Sequence, residues 1–113
     1  MKISLVQMAV SEDKLVNLEK AKQFMNECVM QGGDIICFPE KFLCLAKNKE
    51  TAEDLDSPII NDFKSYAKQH KINIILGSIG IKSSDPNKTY NTCFVINCFF
   101  SSEGFFSILS LSE

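Results

Sequence analysis

Apolar residues along the chain follow two periods that alternate with each other. Short apolar runs at 3–8, 34–38 and 72–79 are typical of strands that are covered on both faces. Between these runs, apolar residues recur every three or four positions over 12–31 and over 58–70, which predicts two amphipathic helices. Strands that alternate with helices in this way predict parallel strands joined by right-handed crossovers.

The first predicted helix has signals at both of its ends. Ser11 is the candidate N-cap, because its hydroxyl can accept a hydrogen bond from the first helical turn. Gly32 and Gly33 end the helix. One row of the helix holds Leu15, Leu18, Lys22, Met25 and Val29, and apart from Lys22 it is an apolar stripe, which Val16, Ala21, Phe24 and Cys28 widen.

The second predicted helix begins with Ser57 as its cap and Pro58 at its first position. Residues 41–56, which precede it, are predicted to form a loop with at most one helical turn. His70 is interpreted as a cation at the negative end of the helix rather than as a catalyst. The predicted buried face comprises Ile59, Ile60, Phe63, Tyr66 and Ala67.

The C-terminal part predicts a hairpin and a further strand. Turn residues at 82–88 separate the third strand from a fourth at 89–97, which is therefore predicted to be antiparallel to it. A turn at 101–104 and a fifth strand follow. A membrane span over 93–111 is disfavoured, because Asn97, Glu103 and four serines lie within it. The fold class is α/β, with one mixed sheet and two helices on one face.

Composition excludes several kinds of function. The 113 residues include 12 lysines, no arginine and 14 acids, for a net charge of -2, so no basic surface for nucleic acid is expected. The five cysteines have no CxxC spacing and His70 is the only histidine, so we expect no metal site. No Gly-rich phosphate loop and no signal peptide are recognised, and we expect a cytoplasmic protein with reduced thiols and no cofactor.

Glu40 is the candidate catalytic residue. It follows a buried strand directly, and ligands of open α/β sheets bind beyond the carboxyl ends of the strands. Pro39 stiffens the exit from that strand, which suits a positioned general base. The other interpretation is a solvated acid paired with Lys41 or another lysine. A Glu40–Cys44 pair would require a helix between them, and the acids Glu53, Asp54 and Asp56 are interpreted as a solvated face.

Four segments of the sequence resemble the N-terminal part of the nitrilase, or carbon-nitrogen hydrolase, family. They are ISLVQM at 3–8, GGDIICFPE at 32–40, INIILGS at 72–78 and YNTCFVIN at 90–97. Their order and spacing make the resemblance specific, although FPE alone is weak. The fourth segment and the loop PEKFLCLAKNKE are most similar to the ω-amidases and deaminated glutathione amidases.

The resemblance implies a four-layer α-β-β-α sandwich, of which this chain would hold the first half. It implies a site of Glu, Lys and Cys that acts on a small amide, with Glu40 as the base that activates the thiol. The Lys would stabilise the charged tetrahedral intermediate.

The chain departs from the family pattern after residue 97. No lysine follows Lys88, and none of the five cysteines has the context of the family nucleophile. We therefore expect 1–97 to be the N-terminal part of a truncated carbon-nitrogen hydrolase domain, inactive alone, and 98–113 to be a divergent hydrophobic tail. Uncovered apolar surface predicts self-association. The alternative is a small non-enzymatic α/β binding or interaction protein.

Overall fold

Parallel pairing dominates the first half of the chain and antiparallel pairing the second. The computed structural model describes residues 1–45, 52–98 and 105–112, the last of these as backbone only. Neither helix in these ranges is long and apolar enough to cross a membrane. The elements in chain order are β1 (Ile3–Leu5), α1 (Lys14–Met30), β2 (Ile35–Phe38), α2 (Pro58–His70), β3 (Asn73–Lys82), β4 (Thr89–Asn97) and β5 (Phe105–Ser112).

The five strands form one mixed sheet in the order β1-β2-β3-β4-β5. Strands β1, β2 and β3 are parallel, whereas β4 is antiparallel to both β3 and β5. Both helices pack into one buried apolar cluster against the same face of the sheet. The predicted fold class, a mixed sheet with two helices on one face, is confirmed.

The predicted bounds are accurate for some elements and wrong for others. Helix α2 with its Ser57 cap, strand β4 and the antiparallel hairpin agree with the prediction. Strand β1 ends at Leu5 rather than residue 8, and β3 continues to Lys82 because the hairpin ladder extends beyond a bulge. The fifth strand is confirmed, while the predicted turn at 101–104 lies outside the described residues.

The predicted cap of α1 is wrong by two residues. Asp13, not Ser11, is the N-cap, and its Oδ1 accepts hydrogen bonds from Leu15 N (2.9 Å) and Val16 N (3.4 Å). The Ser11 hydroxyl instead accepts from Asp13 N at 3.1 Å, which supports the capping residue from outside the helix. A carboxylate also carries negative charge towards the positive end of the helix.

The predicted buried stripe of α1 is rotated relative to the observed one. Leu15 and Val16, predicted to be buried, are 72% and 43% exposed. The face that packs on the sheet includes a polar side chain near the start of the helix, which the hydrophobic pattern excluded from the core, whereas its other buried residues belong to the predicted stripe. The buried residues of α1 are Asn17, Ala21, Met25 and Cys28.

The core continues across the strands in register. Ile36, Ile74 and Ile96 lie side by side on neighbouring strands, and Phe38, Leu76 and Phe94 form the next row. All six side chains are buried beneath the helices, and α2 adds Ile60, Phe63 and Ala67. The alternation of β2, β3 and β4 therefore turns one apolar face to the helices.

The opposite face of the sheet carries apolar residues without a covering layer among the described residues. Leu5, Cys37, Ile75 and Val95 are neighbours in the strand register on this face. Leu5 is 80% exposed and Ile3, beside it on β1, is 56% exposed. The face defined by these residues is called the open face below.

Asn17 joins three separate parts of the chain inside the core. Its Oδ1 accepts from Ser11 N at 2.8 Å, and its Nδ2 donates to Ser11 O at 2.9 Å and to Leu43 O at 2.8 Å. The side chain is fully buried, so these bonds are shielded from water. Asn17 thus fixes the segment before α1 and the segment after β2 on the same helix.

We expect the substitution Asn17→Ala to lower the free energy of unfolding by about 3 kcal/mol, because it leaves buried backbone groups without partners. The exposed Gln23 on α1 offers a control, and Gln23→Ala should change stability by less than about 0.5 kcal/mol. Urea unfolding followed by circular dichroism measures both. Equal midpoints for the two variants would show that the Asn17 bonds do not stabilise the fold.

Candidate active site

Glu40 lies in a tight turn just beyond the carboxyl end of β2. The rings of Phe38 and Phe42, on either side of the turn, are stacked with their centroids 4.7 Å apart. Both rings are buried, whereas Glu40 is exposed at the tip of the turn. The carboxylate therefore stands in solvent on a turn whose two ends are anchored in the core, at the sheet edge that the sequence predicts.

Strand β3 holds the backbone of this turn. Lys41 N donates to Ser78 O (3.1 Å) and to Ser78 Oγ (3.0 Å). Lys41 itself has a φ of 51°, in the left-handed region that non-glycine residues seldom adopt. Two bonds to one residue of β3 thus stabilise an unusual conformation directly after Glu40.

Close contact between two backbones completes this arrangement. A Cβ placed on Gly77 would lie 2.0 Å from Pro39 O and 2.3 Å from Phe38 O. The turn therefore packs directly against the main chain of β3, at a position where only glycine leaves room.

An irregularity in β3 lies at the same place. Leu76 pairs with Phe94 and Ile79 pairs with Thr92, so Gly77 and Ser78 together lie opposite one residue of β4. This is the arrangement of a β-bulge, which bends a strand locally and redirects its side chains. The bulge places the buried Ser78 hydroxyl beneath the turn that carries Glu40.

Asn91 on β4 reaches the Glu40 side chain. Its Nδ2 donates to Glu40 Oε1 at 3.4 Å. Its Oδ1 is buried and has no hydrogen-bond partner within the described ranges. Asn91 was not among the residues that the sequence predicted for the site. A signal was present, because asparagine is disfavoured within strands and YNTCFVIN places one inside an apolar strand.

The acidic cluster after the loop is only partly the solvated face that the sequence predicts. Glu53 N donates to Gly80 O (2.8 Å) and Glu53 O accepts from Lys82 N (2.9 Å), so Glu53 pairs with β3 as an isolated bridge. Its side chain is only 15% exposed and forms an ion pair with Lys14. Asp54, in contrast, is exposed and lies 3.8 Å from Lys82 Nζ.

None of the five cysteines is arranged as an activated nucleophile in the part of the chain that the structure describes. All five thiols are free, with Cys28 buried and the other four half-buried. Burial raises the pKa of Cys37 and of Cys93, and the proximity of Cys93 raises that of Cys37 further. A raised pKa keeps a thiol protonated and weakens it as a nucleophile. The segment from Glu40 to Cys44 is not helical, so the condition for pairing these residues is not met.

His70 is distant in the fold from the Glu40 turn. It occupies the last turn of α2, as predicted, and its ring packs on Tyr66 with a centroid separation of 4.2 Å. The structure therefore brings Glu40 together with Ser78 and Asn91, and leaves His70 on the helical layer.

Comparison with known sequences identifies one family over most of the chain. The model of the carbon-nitrogen hydrolases matches residues 2–98. The omega-amidase NIT2 of Xenopus tropicalis is 35% identical over 97 residues, covering 83% of this chain and 34% of that protein. The chloroplastic omega-amidase of Arabidopsis thaliana is 33% identical over 110 residues, covering 90% of this chain and 28% of that protein. This chain thus spans about a third of the length of these relatives.

Solved structures of the same superfamily share the fold. Saccharomyces cerevisiae Nit3, a member of branch 10 of the nitrilase superfamily, superimposes with a TM-score of 0.77 at 22% identity, covering 97% of this chain and 43% of Nit3. The NitFhit protein of C. elegans gives a TM-score of 0.79 at 22% identity, covering 96% of this chain and 27% of NitFhit. The resemblance inferred from the four sequence segments is confirmed at the level of family and fold.

We expect Gly77→Ala to lower the free energy of unfolding by about 3 kcal/mol or more, because the new methyl group would overlap the backbone of Pro39. Gly80 on the same strand is a matched control, since a Cβ there would meet nothing within 4 Å. Gly80→Ala should change stability by less than about 0.5 kcal/mol. Thermal and urea unfolding measure both variants. A Gly77→Ala protein as stable as Gly80→Ala would contradict the close approach of β3 to the turn.

Proposed function

Because this chain belongs to the carbon-nitrogen hydrolase family, we propose that it forms the N-terminal part of an amidase domain of the omega-amidase kind. In this proposal Glu40 is the general base and the substrate is a small molecule with a carboxamide group. The observation that carries the proposal is the Glu40 turn, where an exposed carboxylate stands on a backbone that strand β3 holds in place. The names of the relatives support the omega-amidase kind over other branches.

The reaction that the family resemblance implies has two halves. Glu40 takes the proton from a cysteine thiol, and the sulfur attacks the amide carbon to form a tetrahedral intermediate. Glu40 returns that proton to the amide nitrogen, and the intermediate collapses to a thioester as ammonia leaves. Water, deprotonated by Glu40, then attacks the thioester, and the carboxylic acid and the free thiol are released.

The cysteine and the lysine of this reaction are not assigned to residues of this chain. No lysine follows Lys88. Cys37 in β2 and Cys93 in β4 both have a raised pKa. We therefore propose that the 113 residues alone provide the base but not the nucleophile. The free thiols of the described residues favour the cytoplasm as the compartment.

A non-enzymatic interaction protein is the second candidate function. The open face favours it, because an apolar sheet surface that includes Leu5 and Ile75 offers a place for another protein. In this alternative, Glu40 is a solvated surface acid. Activity measurements with Glu40 variants distinguish the two candidates.

We expect the 113-residue chain to release no ammonia from small ω-amides above background, because it provides only one of the three catalytic groups. Purified chain and its Glu40→Gln variant are incubated with an ω-amide, and ammonia is measured by a coupled assay. Turnover by the wild-type chain that the variant lacks would contradict this expectation. Turnover equal in both proteins would identify a contaminating enzyme.

A chimera supplies the positive test of the same proposal. Residues 2–98 replace the equivalent segment of the Xenopus tropicalis omega-amidase, which provides the remaining two thirds of the domain. We expect ammonia release by the chimera and a loss of at least about a hundredfold in Glu40→Gln, the scale of general base catalysis. Glu19→Gln, an exposed acid on α1, is the control and should retain activity. A folded, inactive chimera would favour the interaction protein.

We expect the chain to self-associate through the open face. At roughly 25 cal/mol per Å², covering about 500 Å² of apolar surface contributes about 12 kcal/mol, comparable to the stability of a whole domain. Leu5→Lys, on this face, should shift the protein towards the monomer in size-exclusion chromatography with light scattering. Leu15→Lys, on the exposed side of α1, is the control and should not. A monomeric wild-type chain at tens of micromolar would contradict self-association.

A further inference from the structure

We propose that Asn91 is a positioning residue for Glu40, holding one oxygen of its carboxylate so that the other receives the proton. This inference rests on the proposed role of Glu40 as general base. Its physical basis is the hydrogen bond from Asn91 Nδ2 to Glu40 Oε1, at 3.4 Å, between residues 51 positions apart in the chain.

The Asn91 side chain has to cross a neighbouring strand to reach Glu40. Asn91 belongs to β4 and Glu40 follows β2, so the amide must pass over β3, which lies between them. The residue of β3 directly opposite Asn91 is Gly80, and directly opposite residues present their side chains on the same face. A Cβ on Gly80 would meet nothing within 4 Å. The surface over Gly80 is therefore open, and β3 places no side chain between Asn91 and the Glu40 turn at this position.

The two ends of the Asn91 amide are in different environments. The Nδ2 end faces the Glu40 carboxylate, which when ionised can accept hydrogen bonds but cannot donate them. The Oδ1 end is buried and unpartnered within the part of the chain that the structure describes. The opposite orientation would place Oδ1 against Glu40 Oε1, two acceptors facing each other. The carboxylate thus determines the orientation of the amide, and a buried acceptor is left unsatisfied as a result.

The unpartnered Oδ1 of Asn91 is unfavourable for stability and indicates a role for this residue in the site. Buried polar groups in folded proteins almost always have hydrogen-bond partners, so each exception requires an explanation. A leucine or valine at position 91 would suit an apolar strand better. The asparagine instead provides a donor to the carboxylate of the turn, the residue that the sequence and the fold both indicate as the candidate base.

Asn91 also completes the support of Glu40. Backbone bonds from Lys41 to Ser78 fix the main chain of the turn, and they leave the Glu40 side chain free to rotate. The Asn91 amide restrains the carboxylate itself. A general base whose carboxylate has one oxygen bound and one oxygen free presents a single proton acceptor in a defined direction.

The side-chain amide resonances of Asn91 test this contact in the 113-residue chain. In ¹H–¹⁵N spectra recorded from about pH 3 to pH 7, where carboxyl groups titrate, the Asn91 amide protons should shift as Glu40 gains its proton. Glu40→Gln should abolish that response. Glu53→Gln, which removes a carboxylate beside β3, should preserve it. An Asn91 response that persists in Glu40→Gln would overturn the proposal.

Chemical labelling provides a second measurement. Carboxyl groups are coupled to glycine ethyl ester with a carbodiimide, and labelling of Glu40 is divided by that of Glu19 in the same digest. Asn91→Ala should raise this ratio about two- to tenfold, the effect of losing one hydrogen bond. Asn87→Ala, in the turn before β4, is the control and should leave the ratio unchanged. Equal ratios in all three proteins would overturn the proposal.

These measurements are independent of turnover. Loss of the Asn91 response together with an active chimera would reject the positioning role and keep Glu40 as the base. An intact Asn91 response together with an inactive chimera would keep the contact and reject the catalytic role.

Discussion

The close approach of Pro39 to Gly77 is the contact on which the candidate site depends. A side chain on Gly77 would overlap the Pro39 carbonyl, so the turn after β2 can reach its position only because β3 has no side chain there. Once the backbones meet, Ser78 can bind Lys41, and the left-handed conformation at Lys41 becomes favourable. The direction of Glu40 follows from this sequence of contacts. The turn that carries the carboxylate is thus positioned by backbone packing.

Asn17 supports the same segment from the opposite side. The turn after β2 continues into the buried residues Phe42 and Leu43, and Asn17 binds the Leu43 carbonyl. One end of the segment is therefore held by β3 and the other by α1. Buried polar groups of this kind are costly unless all their bonds are made, and Asn17 makes three. The helical layer and the sheet together define the loop that presents Glu40.

Hydrophobic periodicity predicted the elements whose buried residues are mostly apolar. It located α2 and β4 and the position of Glu40 beyond β2, and the resemblance of four segments identified the family. It also located α1 and its buried residues Ala21, Met25 and Cys28, but it missed Asn17, which is buried in the first turns of the helix and which a pattern of apolar residues excludes. Asn91 was missed for a related reason. Its contact with Glu40 depends on the strand order, which a local pattern does not contain.

The strand order has a consequence for how the chain is made. Each strand of the sheet lies beside the strand that precedes it in the sequence, from β1 to β5 without exception in the described residues. During synthesis on the ribosome, every new strand therefore finds its neighbour already present and adds to a growing edge. Domains that are assembled in this order can begin to fold before translation ends. The Glu40 turn becomes fixed when β3 emerges, and Asn91 arrives with the next strand.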